Sequence, residues 1–259
     1  LVGVLLARQL GPAGYGAYAL AMAVAALAGI LAEFGLPQLV LREFASAETR
    51  QTWGEARGLI GWADRVVLSV SAVVLTGFYV YSEMWHVTGE SPFLATMAWA
   101  ILLVPVVAIA KLRGLALLSL GYTFSGQFAV LILRPALFAS ALTVAWMIGY
   151  RLDSSVAMAG QVAAAVVTMF AVNAMFLHMR PESFYRAIPE RRWRQWLSAI
   201  VPMGMTEGLR LLQAHMAVLM LGLLFTTEAV GLFRVAAASA AIGLVPVTIL
   251  NVAAAPHFS

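Results

Sequence analysis

The sequence predicts an all-α membrane protein, built as a multispanning helical bundle. Of its 259 residues, 62% are hydrophobic and only 11% are charged, whereas about a quarter of the residues in soluble domains carry a charge. Apolar runs close to the roughly 20 residues that cross a bilayer recur along the whole chain. Strand-like alternation of polar and apolar residues is absent, and backbone groups in lipid must bond within their own segment. Both facts favour helices over a barrel.

Turn residues and charges divide the chain into eight apolar segments. The first has about half the length needed to span a bilayer. We therefore expect the sequence to be a piece of a longer protein whose first helix is truncated. The segments are 1–10, 17–36, 59–81, 93–110, 128–150, 156–177, 196–224 and 231–254.

Basic residues are distributed asymmetrically between alternate connections. If the first segment runs outward, the outer connections carry only Arg8, Arg151 and Arg234, and the longest of them contains Glu83 and Glu90. This asymmetry fits the positive-inside rule and predicts the orientation. The inner connections then carry Arg42, Arg50, Arg57, Arg65, Lys111, Arg113, Arg180, Arg186, Arg191, Arg192 and Arg194.

The segment after the first turn has a weak internal counterpart. Residues 10–27 align with residues 225–242, so that Gly16-Ala17-Tyr18 falls against Gly231-Leu232-Phe233. Six segments lie in each repeat, and an even number gives the two copies the same orientation, as in parallel-repeat transporters. We therefore predict two six-helix bundles in parallel repeat, of which this chain holds about eight helices. About four more would follow residue 259 in the intact protein.

This repeat divides the chain into three predicted regions. Residues 1–180 form an N-terminal six-helix bundle, and residues 196–259 form the first two helices of the second bundle. The run 181–195 between them is basic and aromatic, a composition that suits the headgroup zone and anionic lipid. We predict a cytoplasmic interfacial linker there and no nucleic-acid site.

Ionisable groups at membrane depth are costly unless they are paired or face a wet cavity, which makes them site candidates. Glu207 and Arg210 are three residues apart and share a helix face. They are either a self-neutralising structural pair or part of a substrate cavity, where the planar guanidinium of Arg210 suits phosphate oxygens. Gln213 extends this polar surface.

Other candidates have two interpretations each. Arg134 either snorkels to the interface or contacts the cavity. Asn173 either bonds a sugar hydroxyl or joins two helices. Glu33, near the inner end of its helix, is either partly hydrated or an ion site. The adjacent Arg42 and Glu43 are either a topology anchor or a gate-forming ion pair.

Two glycine and proline clusters punctuate the chain. Gly11, Gly14 and Gly16 allow positive φ and Pro12 fixes one turn position, which predicts a tight connector between two helices. Further on, Gly35 and Pro37 interrupt the second helix near its inner end.

Several kinds of chemistry have no sequence support. The chain has no cysteine, and its one lysine, Lys111, precedes Leu112, so no Walker A loop is present. We find no hydrolase or zinc-protease motif, and Glu83 with His86 is weak evidence for a metal. We therefore predict neither an enzyme nor a metal or cofactor site, and leave H⁺ and Na⁺ open as a coupling ion.

Three stretches resemble the polysaccharide-biosynthesis flippases of the multidrug/oligosaccharidyl-lipid/polysaccharide exporter superfamily. They are "LLARQLGPAGYGAY" at 5–18, "FGLPQLVLREFA" at 34–45 and "AVGLFRVAAA" at 229–238. The resemblance implies a MATE-like protein of the bacterial inner membrane. It also implies alternating-access transport of an oligosaccharide linked to undecaprenyl pyrophosphate, for O-antigen, capsule or exopolysaccharide synthesis. Membrane lipids and other glycan-assembly membrane proteins are the further partners expected.

Two other functions stay open at this point. A cation-coupled multidrug exporter of the same superfamily would have an acidic cavity with few arginines. A multispanning glycan polymerase or ligase would have a large outer loop with catalytic arginine or histidine, whereas the outer connections here are short.

Overall fold

The computed structural model describes residues 2–84, 92–149 and 152–254. The predicted outer-connection residues His86, Glu90 and Arg151 lie outside these ranges. The described residues form helices without any strand, which confirms the all-α fold class. The helices are α1 Val2–Glu33, α2 Leu36–Arg50, α3 Trp53–Met84, α4 Pro92–Ser119, α5 Thr123–Phe128, α6 Arg134–Met147, α7 Ser154–Met179, α8 Glu182–Arg186, α9 Trp193–Leu224 and α10 Thr227–Ala254.

The helices have the length that a membrane protein requires. Within the described ranges, six helical stretches are long and apolar enough to cross a bilayer, and α5 and α6 form one of them together. This confirms a multispanning protein. Some predicted segments were too short, because α3 and α4 extend well beyond their apolar runs into charged residues.

Helix α1 consists of two arms that reverse direction at Gly11. Gly11 has φ 67° and ψ 176°, a conformation that glycine adopts without a steric penalty. A Cβ placed on Gly3 would lie 3.4 Å from the hydroxyl of Tyr15, although twelve residues of straight helix span about 18 Å. The chain therefore folds back on itself, as the first turn motif predicts. Gly11 alone of the three turn glycines has positive φ.

The second break, at Gly35, leads into a helix that the hydropathy pattern did not predict. Gly35 has φ 74°, and α2 follows with Pro37 in its first turn. The buried residues of α2 recur at three- and four-residue spacing, as in an amphipathic helix. A search for spanning runs misses such a helix because its other face is polar. Its buried residues are Leu36, Pro37, Leu39, Val40, Phe44 and Ala47.

Charges assigned to the inner connections lie within helices instead. Lys111 and Arg113 belong to α4, while Arg57 and Arg65 belong to α3. Their placement in connections was wrong because both helices continue past the apolar run. Lys111 and Arg113 pair with acids of neighbouring helices, whereas Arg65 donates to a carbonyl of its own helix.

Two main apolar clusters lie among helices α1 to α7, hereafter the first bundle, and α8 and α9 contribute to one of them. One lies around α2, α3 and the end of α4, where the rings of Phe44, Phe176 and Phe184 are in mutual contact. The other lies between α1, α4, α6 and α7, with the rings of Tyr18 and Phe138 stacked. The polar groups described below lie among and beside these clusters.

Helix α9 packs along the second arm of α1 through glycines. A Cβ on Gly204 would lie 2.7 Å from the ring of Phe34, and one on Gly222 would lie 2.4 Å from a methyl of Leu20. A Cβ on Gly208 would lie 3.2 Å from Ile30. Small residues at such spacing let helices approach closely in lipid.

The contact between α1 and α10 is reciprocal. A Cβ on Gly16 would lie 1.6 Å from the carbonyl oxygen of Thr227, and one on Gly231 would lie 2.1 Å from that of Pro12. Any side chain at either glycine would therefore force the two backbones apart. In the alignment of the repeats, Gly16 pairs with Gly231 and Pro12 pairs with Thr227, so each copy makes the same contact with the other.

Candidate functional site

A π-helical turn, Ala129–Leu133, directly precedes Arg134 within the span 123–147. Pro135 follows, and because proline has no N–H, one carbonyl of the preceding turn loses its helical donor. π-Helical turns are rare and occur frequently at functional sites. The turn changes the helical register at Arg134, the residue that enters the interior of the first bundle.

Arg134 lies between two cavities. The tyrosine cavity, about 400 Å³, is lined by Arg134 with Tyr15, Tyr18 and Gln161. The lysine cavity, about 210 Å³, is lined by Arg134 with Glu33 and Lys111. In this structure Arg134 therefore lines both cavities.

Two polar atoms at this position are left without partners. The Nε of Arg134 and the Oε1 of Gln161 are buried, and neither has a hydrogen-bond partner among the described residues. An unsatisfied buried donor costs about 1–3 kcal/mol, and more on a charged group. A ligand that accepts a hydrogen bond from the Nε of Arg134 and donates one to the Oε1 of Gln161 would remove this cost.

An ion pair between two helices contributes to the lining of the lysine cavity. The Nζ of Lys111 in α4 lies 2.6 Å from the Oε2 of Glu33 in α1, and the Glu33 side chain is 13% exposed. Glu33 is therefore neutralised by a cation, a partner that the sequence did not suggest. Beyond this pair and Arg134, the walls are apolar, and Leu211 of α9 completes them. The cavity thus lies between the first bundle and α9.

The pair predicted in α9 forms as expected but lies elsewhere. Arg210 donates from Nη2 and Nε to the two oxygens of Glu207, at 2.8 and 3.1 Å. The Arg210 side chain is 71% exposed, and Gln213 is exposed as well. Arg210 lines neither of the cavities that contain Arg134. The structure does not bring these two arginines into one site.

Glu207 instead borders a cleft between α2 and α9. This cleft, about 750 Å³, is also lined by Gln38, Arg42 and Thr206. Arg42 donates to Glu43, its neighbour in sequence, at 2.7 and 3.1 Å. That ion pair is local to α2 and joins no second helix, although Arg42 itself faces the cleft.

Asn173 lies apart from all these groups. Its Oδ1 accepts a hydrogen bond from the Nε of Arg113 at 3.3 Å, and the Nη2 of Arg113 lies 2.6 Å from Asp64. Asn173 thus helps to join α7 with α4 in this structure.

Sequence reasoning missed several residues of the interior site. Lys111 was placed in a connection. A single lysine at the end of one span and an unpaired glutamate at the end of another would have indicated an ion pair between the two. Tyr15 and Tyr18 share a helix face at i, i+3 spacing, yet both were absorbed into the turn motif. Gln161 is visible in the sequence as a polar residue within a span, which either bonds a sugar hydroxyl or joins two helices, but its place beside Arg134 depends on how α7 packs.

The fold and these polar cavities define a multispanning helical membrane protein with charged groups inside its bundle. A family model described as polysaccharide biosynthesis protein matches residues 1–259, and the chain belongs to that family, whose members are polysaccharide-biosynthesis flippases. No curated protein sequence and no solved structure matches the chain.

Proposed function

We propose that this protein is a flippase of the bacterial inner membrane that translocates a lipid-pyrophosphate-linked oligosaccharide for cell-surface polysaccharide synthesis. The observation that carries the proposal is the family match along the entire chain. The six spanning helical stretches of the described residues support a transport role. Undecaprenyl pyrophosphate is the carrier that the sequence resemblance implies, and H⁺ and Na⁺ stay open as the coupling ion.

Arg134 is the residue that we assign to the pyrophosphate. Its guanidinium is permanently charged, and its planar arrangement of N–H donors matches phosphate oxygens. Its Nε has no partner among the described residues, so a phosphate would satisfy it. Lys111 adds a second cation on the wall of the same cavity, although Glu33 balances it.

The cavities are too small to hold the whole substrate in this conformation. Volumes of about 210 and 400 Å³ accommodate a phosphate group, whereas a pocket for a single drug-sized ligand already measures about 300–1,000 Å³, and a lipid-linked oligosaccharide is much larger than such a ligand. The glycan therefore needs a wider opening between the bundles, and the prenyl tail stays in lipid. This requirement favours alternating access, in which one bundle rocks against the other.

The reciprocal contact of Gly16 and Gly231 supports a parallel repeat. In a two-fold interface each copy uses the same residues to contact the other copy. That is the case here, and the two backbones lie against each other without side chains between them. We propose that residues 1–180 and 196–259 belong to separate bundles joined by the linker 181–195, and that this contact is one point where they separate.

We assign a secondary role to three polar residues on one side of α9. Glu207, Arg210 and Gln213 would face the path once the bundles open, with Arg210 as a second phosphate donor. Arg42 would act at the cleft that it shares with Glu207. The multidrug-exporter alternative requires an acidic cavity, and the pairing of Glu33 with Lys111 beside Arg134 favours an anionic substrate instead.

The test is made in the native cell, with the intact gene deleted and restored in variant form. At matched membrane abundance, Arg134→Ala is expected to lower surface glycan at least about tenfold, since a charge-assisted contact contributes about 1.5–3 kcal/mol. Lipid-linked precursor is expected to accumulate at the same time. Arg134→Lys is expected to restore export partly, because it keeps the charge and loses the planar geometry.

Arg50→Ala is the matched control, because Arg50 is exposed at the end of α2 and lines none of the cavities above. It is expected to export normally. Normal export by Arg134→Ala would refute the role of Arg134. If deletion of the gene left surface glycan and lipid-linked precursor unchanged, the flippase function itself would be wrong.

A further inference from the structure

A further pocket, the arginine pocket, lies at the predicted cytoplasmic end of the first bundle. It measures about 410 Å³ and is bounded by α3, α4, α7 and the segment that follows α8. None of its lining residues belongs to α9 or α10, and none lines the cavities of Arg134. Its five arginines are Arg57, Arg65, Arg113, Arg180 and Arg191.

These arginines have too few counter-charges. The described lining contains no carboxylate, and two acids beside it are already paired, Asp64 with Arg113 and Glu190 with Arg192. Within the described ranges, the other four arginines form no ion pair with any acid. Like charges held together disfavour one another unless an anion lies between them. The pocket therefore carries an excess of positive charge that a bound anion would balance.

The wall of the pocket is built into the fold. The segment after α8 lies against α3, where the N–H of Glu190 donates to the carbonyl of Gly54 at 2.9 Å. A Cβ on Gly58 would lie 1.7 Å from the carbonyl oxygen of Glu190. Arg57 fixes the same segment by donating to the carbonyls of Tyr185 and Ala187. Arg57 is thus a structural member of the pocket.

Free hydrogen-bond donors remain at this position. The side chain of Arg113 is only 11% exposed, and its Nη1 is buried without a partner among the described residues, as is the Oδ1 of Asp64. Arg65 uses its Nε for the carbonyl of Gly61 in its own helix. A buried guanidinium nitrogen without an acceptor is the group that an anionic oxygen would satisfy.

The surroundings identify the kind of anion. Leu177 lines the pocket and is 48% exposed, and Ile188, next to the lining residue Pro189, is 84% exposed. A ligand at this position therefore has a charged end among arginines and apolar residues beside it. Basic pockets between spanning helices on the cytoplasmic side bind anionic lipid headgroups, and guanidinium groups bind phosphate in paired geometry.

We propose that the arginine pocket binds the phosphate headgroup of an anionic phospholipid from the inner leaflet. The acyl chains would run past Leu177 along α7. The site is separate from the transport cavities, so it stands whether or not the chain is a flippase. A bound lipid would neutralise the arginines and hold α3, α7 and the linker together.

The test is a lipid titration of the purified full chain, read by native mass spectrometry as the fraction carrying one lipid. Phosphatidylglycerol is the probe, and phosphatidylcholine is the zwitterionic comparison. Wild type is expected to prefer phosphatidylglycerol. Arg65→Gln with Arg191→Gln is expected to weaken its binding at least about tenfold, because two phosphate contacts are lost. Neither residue holds the linker, so the fold should persist, and an unchanged unfolding midpoint without lipid checks this.

The matched control removes the same charge from the same predicted face. Arg50→Gln with Arg194→Gln is expected to bind phosphatidylglycerol as wild type does, since neither residue lines the pocket. Equal binding by both double variants would overturn the proposal, as would equal binding of the two lipids by wild type. A third arm adds inorganic phosphate. If phosphate alone displaces the lipid at equal concentration, the ligand is a soluble anion and the assignment to lipid is wrong.

Discussion

Two ion pairs within the spanning helices each join a cation to a glutamate, and they differ in position. Lys111 and Glu33 join α4 to α1 across the lysine cavity, with the glutamate 13% exposed. Arg210 and Glu207 lie one turn apart on α9, with the arginine 71% exposed. The first pair holds two helices together, whereas the second neutralises one helix. Charge at membrane depth therefore does not by itself identify a structural or a functional group, because the location of its partner decides between them.

The largest expected effect comes from removing the cation of the pair between helices. Lys111→Met keeps the length of the side chain but leaves the Glu33 carboxylate without its partner. We expect a loss of about 2 kcal/mol in unfolding free energy, less than for a fully buried pair because Lys111 is 33% exposed. Thermal unfolding of the purified chain in detergent, followed by circular dichroism, measures it. An unchanged midpoint would show that the pair does not join α1 to α4.

A smaller effect is expected when both charges are removed. Glu33→Gln added to Lys111→Met eliminates the unpaired carboxylate, and a neutral pair in an apolar site can be nearly as stable as an ion pair. The double variant should therefore recover most of the lost stability, which a double-mutant cycle on the same unfolding assay measures. If the losses of the two single variants simply added, the two side chains would not interact.

The smallest effect is expected at the pair on α9, where the arginine is 71% exposed and the glutamate 19% exposed. Arg210→Ala should lower the unfolding midpoint less than Lys111→Met does, because Arg210 binds only Glu207 of its own helix within the described residues and joins no second helix. Glu207→Gln serves as the comparison from the other side of the pair. A fall in midpoint like that of Lys111→Met would show that Arg210 contacts a further element. Reduced glycan export without a stability loss would instead support its proposed place in the transport path.

Much of the fold could be predicted from the sequence, and the exceptions share a cause. The chain reversal at Gly11 and the break at Gly35 follow from local rules for glycine and proline. Helix α2 was missed because it is amphipathic and shorter than a span. The ends of α3 and α4 were missed because their charged residues find partners on other helices, which local hydropathy does not register.

The candidate site was predicted only in part. Arg134 was a candidate with two interpretations, snorkelling to the interface or contact with a cavity, and in the structure it lines two cavities. Arg210 was a candidate because of its depth and Asn173 because of its polar side chain within a span, and neither lies beside Arg134 in these cavities. Depth along a helix follows from residue count at about 1.5 Å per residue. The direction in which a side chain points relative to other helices does not follow from that count.

The sequence by itself determined the class of protein, the positions of the spans and the sites where the chain turns. These properties are local, since a backbone in lipid must satisfy its own hydrogen bonds and so requires long apolar helices. Only the tertiary structure decided which residues meet. Lys111 and Glu33 form an ion pair although 78 positions separate them in the sequence. Gly16 and Gly231 lie at a contact where α1 and α10 approach until their backbones touch. Such long-range contacts depend on the rotation and packing of whole helices, which no short stretch of sequence specifies.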